Sequence, residues 1–596
     1  MIRNTPSRTG HNNSFISSSS QRSLKYRPDI DGLRAVAVIS VVLFHAFPDS
    51  VFKSGFVGVD VFFVISGFLI STIIFKGMNE RMGGTGGGKP FSFIDFYSRR
   101  VRRIFPSLIF CLVTFLVLGW FVLLPDEYSL FGKHTLGASA YVSNLILWSE
   151  AGDYFQTASQ TKPLLHLWSL GIEEQFYLIW PLVLFIAYKL KLSIFALVYV
   201  GAFVSFGLEL HLIHDAPTAA FYSPIFRFWE LMAGSMLAWL KLYKGEMFRG
   251  IANLAGPYIL PLMQRDTSKS DYVRLCQDIV SVLGLAVLLT AIFKLDSNDF
   301  PGYKALLPVM GTVLMIAADK NAFLNRYLLS NRLMVWFGLV SYPLYIWHWP
   351  FLSFAWIVAG EEPQLKVRIG CVFLAVIMSA VTYYFVEPKL RWGRYGGYKA
   401  AGLLSIMVLT GVTGYSIVRH DGYSSRINVA EPDQATISKV SQVHTQAIAN
   451  CKAKFPNWDF CLIEKEEGLN TIALLGDSHA AALYDGILAK EDRNDGTALF
   501  SFPCAIPLLG IQSGFGKEWR KNAEGNRYNY QYIEKGFDYV LNHSSLKKVV
   551  LTSFPGCFDH GGLSDLNDQS VTDKRKILTK AAEKTSTCAV DRQLAS

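Results

Sequence analysis

The sequence predicts an α-helical polytopic membrane protein that continues into a smaller α/β domain at its C-terminus. Three observations carry that prediction. Apolar residues make up 51% of the 596 positions, and the mean hydropathy is positive. About eleven apolar segments of spanning or near-spanning length follow one another between residues 30 and 420. Beyond residue 420 the chain turns polar, and an apolar strand, a tight turn and a helical pattern follow in that order.

Residues 1–28, with the run SFISSSSQRS, have too few apolar residues to build a core and are expected to form a disordered cytoplasmic tail. The first apolar segment leads into further spans rather than to a cleavage site, which argues against a signal peptide. The segments lie near residues 33–47, 57–75, 104–124, 174–190, 193–210, 225–242, 277–294, 305–318, 333–358, 367–386 and 402–419. With the N-terminus inside, the cytoplasmic loops and tail carry about 28 Lys and Arg against about 7 in the outer loops. An odd number of spans then puts the C-terminal domain outside. The net charge of +10 is largely this bias, so it does not indicate a nucleic-acid partner.

Of the eight cysteines, Cys111, Cys276 and Cys371 fall in or beside apolar segments and read as packing residues. The other five (Cys451, Cys461, Cys504, Cys557 and Cys588) lie in the polar part, and their spacings fit no metal site. In an oxidising compartment Cys451 with Cys461 would close a short hairpin and Cys504 with Cys557 a second bridge, leaving Cys588 over.

Candidate chemistry begins in RAVAVISVVLFHA, residues 34–46. Arg34 and His45 are eleven positions apart, so on a helix they share a stripe and are separated by roughly 16 Å along the axis. Arg34 alone could be a topology anchor, whereas an ionisable His at bilayer depth marks a pathway or reaction site. The run RRVRR places Arg99, Arg100, Arg102 and Arg103 at the entrance of the third span. Arg100 and Arg103, three apart, share a face suited to gripping a pyrophosphate; a positive-inside anchor is the alternative. Glu173, Glu174 and Gln175 open the fourth span, where they could orient His45 or an acceptor. Arg227 and Glu230, at i and i+3, are expected to pair within the membrane. His348 reads as an interfacial belt residue ranked behind His45, and Asp60 has no assignment.

Seven fragments occur in order: YRPDIDGLRAVAV, FVGVDVFFVISGFLIS, FYSRRVRRIFPSL, LHLWSLGIEEQFYLIWP, FRFWELMAGSMLA, SYPLYIWHWP and YYFVEPKLR. Together, from Tyr26 to Arg391, they resemble the acyltransferase-3 family of membrane acyltransferases. The resemblance implies a ten-helix acyltransferase core over 29–395 with one linking helix over 396–420. It implies transfer of an acyl group from cytoplasmic acyl-CoA, taken as acetyl-CoA, to a sugar across the membrane, with no tightly bound cofactor. The family's activity-linked Arg and His of the first span correspond to Arg34 and His45. Its Arg-x-x-Arg motif corresponds to Arg100 and Arg103, and its second acid to Glu174.

Residues 421–470 read as a periplasmic linker with the disulfide hairpin, and 471–596 as a second module. There TIALLGDSHAAALYDGIL gives a strand, a tight turn and a helix, with Ser478 at the helix start near backbone N–H groups suited to an oxyanion. Behind this core, GDSH resembles the SGNH hydrolase-like domain fused to many such proteins. That resemblance implies Ser478 as nucleophile and Gly510 as second oxyanion donor, with Asn529 a guess at the remaining position. No Asp-x-x-His follows Ser478, and the later histidines His479, His543 and His560 offer no clear base. With three expected strands (TIALLG, TALFSF and KKVVLTSF), the domain is expected to be truncated and its catalysis weak.

These readings converge on an inner-membrane O-acetyltransferase acting on a surface polysaccharide or lipid-linked glycan. Lipopolysaccharide O-antigen is the first expectation and peptidoglycan the next. Two rivals differ in class. A polytopic transporter of an acyl donor or glycan would use Arg34 and His45 as a proton relay, but the halves show no inverted repeat of interrupted helices. An exported esterase on a passive anchor would need Ser478 without His45.

Overall fold

The computed structural model divides the chain into two units, Met1–Ile427 and Asn428–Ser596. The described residues are 26–81, 91–151, 159–244, 269–295, 300–426, 434–455, 461–464, 470–476, 484, 496–501, 538–539, 542 and 548–552. The expected N-terminal tail lies outside them as far as residue 25.

Helices make up the first unit. In chain order they are α1 (Pro28–Ala46), α2 (Gly58–Arg81), α3 (Phe93–Val122), α4 (Pro125–Ser139), α5 (Ser143–Glu150), α6 (Leu167–Lys189), α7 (Ile194–Leu212) and α8 (Pro217–Tyr222). Then come α9 (Pro224–Tyr243), α10 (Lys269–Lys294), α11 (Leu306–Ala318), α12 (Arg332–Leu339), α13 (Ser341–Ala359), α14 (Leu365–Val381), α15 (Glu387–Arg391) and α16 (Gly396–Arg419). Their starts follow local chemistry. Pro28 sits in the first turn of α1, where its missing N–H costs nothing, and Asp29 and Asp31 meet the positive end of the helix dipole. Ser92 caps α3 by accepting from the Asp95 backbone N–H at 3.3 Å. Asn331 caps α12 in the same way through Met334, at 2.9 Å.

Each of the eleven expected apolar segments falls on a helix. Among the described residues, seven helices are long and apolar enough to cross a membrane. The remaining segments fall on α1, α9, α11 and the pair α12–α13, which is interrupted at Val340. On α7 only Val198, Ser205 and Glu209 are buried, while Tyr199, Val200, Phe203 and Val204 are exposed. An apolar outward face of this kind suits lipid, and it makes this a multi-pass membrane protein.

Small residues set the closest helix pair. A Cβ on Gly67 of α2 would sit 1.8 Å from the Leu231 carbonyl oxygen of α9, and one on Gly234 would sit 2.1 Å from that of Val64. The two backbones can touch only because neither position has a side chain. Hydrogen bonds reinforce this contact: Ser71 donates to Ser235 (2.6 Å), and Trp180 of α6 donates to Ser71 (2.9 Å). The expected Arg227–Glu230 pair is present at 3.2 Å, and Asp60 joins it from α2 at 2.7 Å. Asp60, left without an assignment by the sequence, is therefore an ion-pair partner that ties α2 to α9.

Two features depart from expectation. Between α3 and α6, α4 and α5 fold back against the bundle. Their connecting turn brings Tyr141 (φ 57°) beside Phe105 of α3, and the Tyr141 carbonyl accepts from Gln175 of α6 at 2.8 Å. Residues 421–470, expected as a linker, contain helix α17 (Gln434–Lys454) and strand β1 (Cys461–Ile463). Both elements belong to the second unit.

In that second unit β1, β2 (Asn470–Gly476), β3 (Gly496–Ser501) and β4 (Lys548–Thr552) form a sheet of order β1-β3-β2-β4. β2 pairs parallel with both β3 and β4, and β1 adds antiparallel to β3. The three expected strands are present, and β1 is a fourth. Leu475, Ala498 and Phe500 pack into one apolar cluster, and Leu474 and Leu499 into another. Both faces are covered, as parallel strands require. The expected Cys451–Cys461 disulfide is formed and ties α17 to β1.

Candidate active site

Five helices converge on a cavity inside the first unit that charged and apolar side chains line together. α1 supplies Arg34, α3 supplies Arg100 and Arg103, α6 supplies Ser169, Glu173, Glu174 and Tyr177, and α13 supplies Tyr342 and Tyr345; α2 adds Ser66. The α3 and α6 groups arrive there because both helices start earlier than the apolar segments suggest. α6 begins at Leu167, so Glu173 and Glu174 lie nearly two turns inside the helix rather than at its opening. α3 begins at Phe93, which turns one face of RRVRR inward.

The expected arginine cluster divides by that turn. Arg100 and Arg103 line the cavity, and the Arg100 guanidinium lies over the rings of Tyr177 (5.4 Å) and Phe96 (5.7 Å). Arg102 instead donates to the carbonyls of Ser98 and Arg391, at 3.3 and 3.1 Å, and Arg99 is exposed. Of the four candidate phosphate-binding arginines, Arg100 and Arg103 thus line the cavity and Arg99 and Arg102 do not, because positions three apart share a helix face and their neighbours do not. Arg34 joins the pair from α1 and, among the described residues, forms an ion pair with Asp31 alone, at 3.6 Å. Glu173 accepts from Ser66 at 2.7 Å, while Glu174 Oε1 is buried and has no hydrogen-bond partner among the described residues. Cations and carboxylates thus face a shared space without closing into tight pairs, an arrangement suited to a phosphorylated ligand.

His45 lies at the other end of α1 and does not line this cavity. Its Nδ1 is 2.9 Å from Nε2 of His348 on α13, the rings are 14° from parallel, and Trp349 packs against His45 at 4.5 Å. His348 is completely buried, and its own Nδ1 lies 2.7 Å from the Tyr345 carbonyl and 3.1 Å from that of Leu344. Tyr345 connects the two ends: it lines the cavity, donates to the His166 carbonyl at 2.7 Å and accepts from Ser169 at 2.7 Å. The expectation that Glu174 orients His45 is not met. Glu174 stands in the cationic cavity, and the group bonded to His45 is His348. His348 is thus a buried partner of His45 rather than an interfacial belt residue; its only sequence signal is a histidine within an aromatic run, SYPLYIWHWP.

A polar cluster secures the segment above these rings. Glu150 meets Lys133 and Lys162, each at 2.8 Å, and His134 at 3.1 Å. Burial opposes the Glu150 charge, but the hydrogen bonds and charges of His134, Lys133 and Lys162 outweigh it and hold its carboxyl well below the usual range. The Lys162 carbonyl in turn accepts from Trp349, the residue packed on His45, at 2.9 Å.

In the second unit Ser478, Gly510 and Asn529 lie outside the described residues, as do His479, His543, His560, Cys504, Cys557 and Cys588. The described strands do show that β2 ends at Gly476, two positions before Ser478, between parallel neighbours on both sides. Strand order reverses there, and in open α/β sheets ligands bind at such a point. Among the described residues no group of His, Cys, Asp or Glu is arranged to hold a metal ion.

The "Acyltransferase domain" family matches residues 27–387. O-acetyltransferase OatA of Staphylococcus aureus (strain NCTC 8325 / PS 47) is 30% identical over 390 residues, covering 64% of this chain and 59% of that protein. Peptidoglycan O-acetyltransferase OatA of Listeria monocytogenes serovar 1/2a is 27% identical over 375 residues, 62% of this chain and 55% of the relative. A longer match, to another protein of Staphylococcus aureus (strain MRSA252), is 28% identical over 556 residues and covers 87% of this chain and 82% of that one. The chain thus spans less than two thirds of the length of the first two relatives. No solved structure matches it.

Proposed function

The chain belongs to the acyltransferase domain family, and from that membership and the cavity geometry we propose that it is a membrane O-acyltransferase, moving an acetyl group from acetyl-CoA to a hydroxyl of a cell-surface glycan. One observation carries the reading: a single helix, α1, holds Arg34 in a cationic cavity and His45, eleven residues or roughly 16 Å further along the axis, in a histidine pair. Arg34, Arg100 and Arg103 take the phosphates of CoA, and the pantetheine arm runs beside α1 toward Tyr345 and His45. His45 removes the proton from the acceptor hydroxyl as it attacks the thioester, and returns it to the departing thiolate. The proposed orientation follows the Lys and Arg bias: N-terminus and CoA cavity on the cytoplasmic side of the inner membrane, with His45 and the second unit outside.

In this reading α16 is the linking helix that follows the ten-helix core expected from the resemblance. Peptidoglycan is the acceptor favoured by the name of the Listeria relative, and O-antigen remains a second acceptor on the motif resemblance. Ester-linked acetate measured on both glycans, from cells with and without the gene, decides between them. In the same cells, His45→Ala at wild-type abundance should remove the acetate. Wild-type acetylation by that variant would remove His45 from the mechanism.

A further inference from the structure

We infer that His348 is a positioning residue that holds His45 in a single tautomer, with the proton on Nδ1 and Nε2 left bare as the basic atom. The catalytic step this serves rests on the function proposed above; the tautomer itself rests on geometry alone.

The assignment follows from one fixed donor. His348 Nδ1 lies 2.7 Å from the Tyr345 carbonyl oxygen and 3.1 Å from that of Leu344. Both are acceptors only, so this nitrogen must carry a hydrogen. A neutral His348 then has a lone pair on Nε2, and that lone pair points at His45 Nδ1, 2.9 Å away. The contact is a hydrogen bond only if His45 Nδ1–H is the donor. The His45 proton is thereby spent, and Nε2 is bare. Among the described residues His45 Nε2 makes no hydrogen bond, and the residue as a whole is half-buried.

A second proton on His348 would reverse the contact. It would also place a cation in a fully buried pocket whose other titratable neighbours are His45, His166 and Tyr345, with ring centroids 5.2, 5.5 and 5.6 Å from that of His348. Among the described residues no carboxylate there balances such a charge, so the neutral ring is favoured. Trp349, 4.5 Å from the His45 ring, opposes rotation out of this geometry. The logic matches an aspartate that fixes the tautomer of a catalytic histidine, with a neutral imidazole in the carboxylate's place.

The test uses the full chain in nanodiscs with 15N-labelled histidine, the His45 signals being assigned by their loss in His45→Gln. In the wild type, His45 Nε2 should appear as an unprotonated ring nitrogen and Nδ1 as a protonated one. His348→Leu keeps an apolar filler but removes the acceptor, and should give a mixture of His45 tautomers. His348→Gln can present an amide oxygen near the Nε2 position and should restore the wild-type pattern. In acyl transfer, His348→Leu should lower kcat by about 10²–10⁴-fold with KM for acetyl-CoA within about twofold, and His348→Gln should recover at least about tenfold of that loss. A wild-type His45 protonated on Nε2, or a His45 spectrum unchanged in His348→Leu, overturns the inference. Should His348→Leu fail to fold, the wild-type and His348→Gln spectra still decide. If the wild type transfers no acetyl group, the proposed function fails, and the spectra judge the tautomer independently.

Discussion

Replacing each arginine of RRVRR by lysine, one at a time, keeps the charge bias that orients the chain and removes only the planar guanidinium. The structure predicts a loss at two of the four positions and almost none at the other two. Arg100 lines the cavity and lies over Tyr177 and Phe96, so lysine loses both the forked donors and the stacking. A hydrogen bond to a charged group is worth about 1.5–3 kcal/mol, which is roughly 10- to 150-fold in affinity. Arg103→Lys should show a loss of the same order. Arg102 spends its donors on the Ser98 and Arg391 carbonyls and Arg99 is exposed, so their lysine variants should bind within about twofold of the wild type. Calorimetric titration of purified variants with a non-transferable acetyl-CoA analogue measures this directly. Equal losses at all four positions, or full affinity in both Arg100→Lys and Arg103→Lys, would refute the division of the cluster and the CoA site with it.

Three further outcomes concern stability. Gly234→Ala puts a methyl group 2.1 Å from the Val64 carbonyl and should destabilise the bundle by about 1–3 kcal/mol, whereas Gly207→Ala, with nothing within 4 Å, should be neutral or stabilising; thermal unfolding in detergent compares them. Because the Glu150 carboxyl is held below its ordinary value of 4.5, its contribution is complete above that pH and is lost as the pH falls below it. Glu150→Gln should therefore unfold more readily than the wild type at pH 7, with the difference shrinking as the medium is acidified below about pH 4.5, as melting temperatures across pH would show. Cys451→Ser opens a bridge between residues ten apart and should cost the second unit about 2–3 kcal/mol, read by urea unfolding of the full chain.

Much of the site was legible where one helix carries the information. Arg34 with His45, and Arg100 with Arg103, are related by helical spacing alone, and the structure keeps each pair on one face. Arg227 and Glu230 pair as their i, i+3 spacing requires. What the sequence could not show are contacts between distant segments. His348 lies 303 positions from His45, and no periodicity links them. Asp60 joins Arg227 from another helix for the same reason. The α4–α5 fold-back was missed because both helices are too short and polar to read as spans. Helix α17, with few apolar residues in KVSQVHTQAIANCKAK, was read as a linker. The position of Glu174 was misjudged because α6 extends past its apolar stretch to Leu167, and a polar residue at the edge of an apolar run looks like a helix end.

The central claim is a route along α1, from a cationic CoA cavity at one end to His45 at the other. Proteoliposomes test it most directly, with radiolabelled acetyl-CoA confined to the face bearing Arg34 and a glycan acceptor supplied only on the opposite face. Wild-type protein should label the acceptor, and neither His45→Gln nor a double Arg100→Lys, Arg103→Lys variant should do so. Labelling that requires donor and acceptor on the same face, or that persists in His45→Gln, would contradict it.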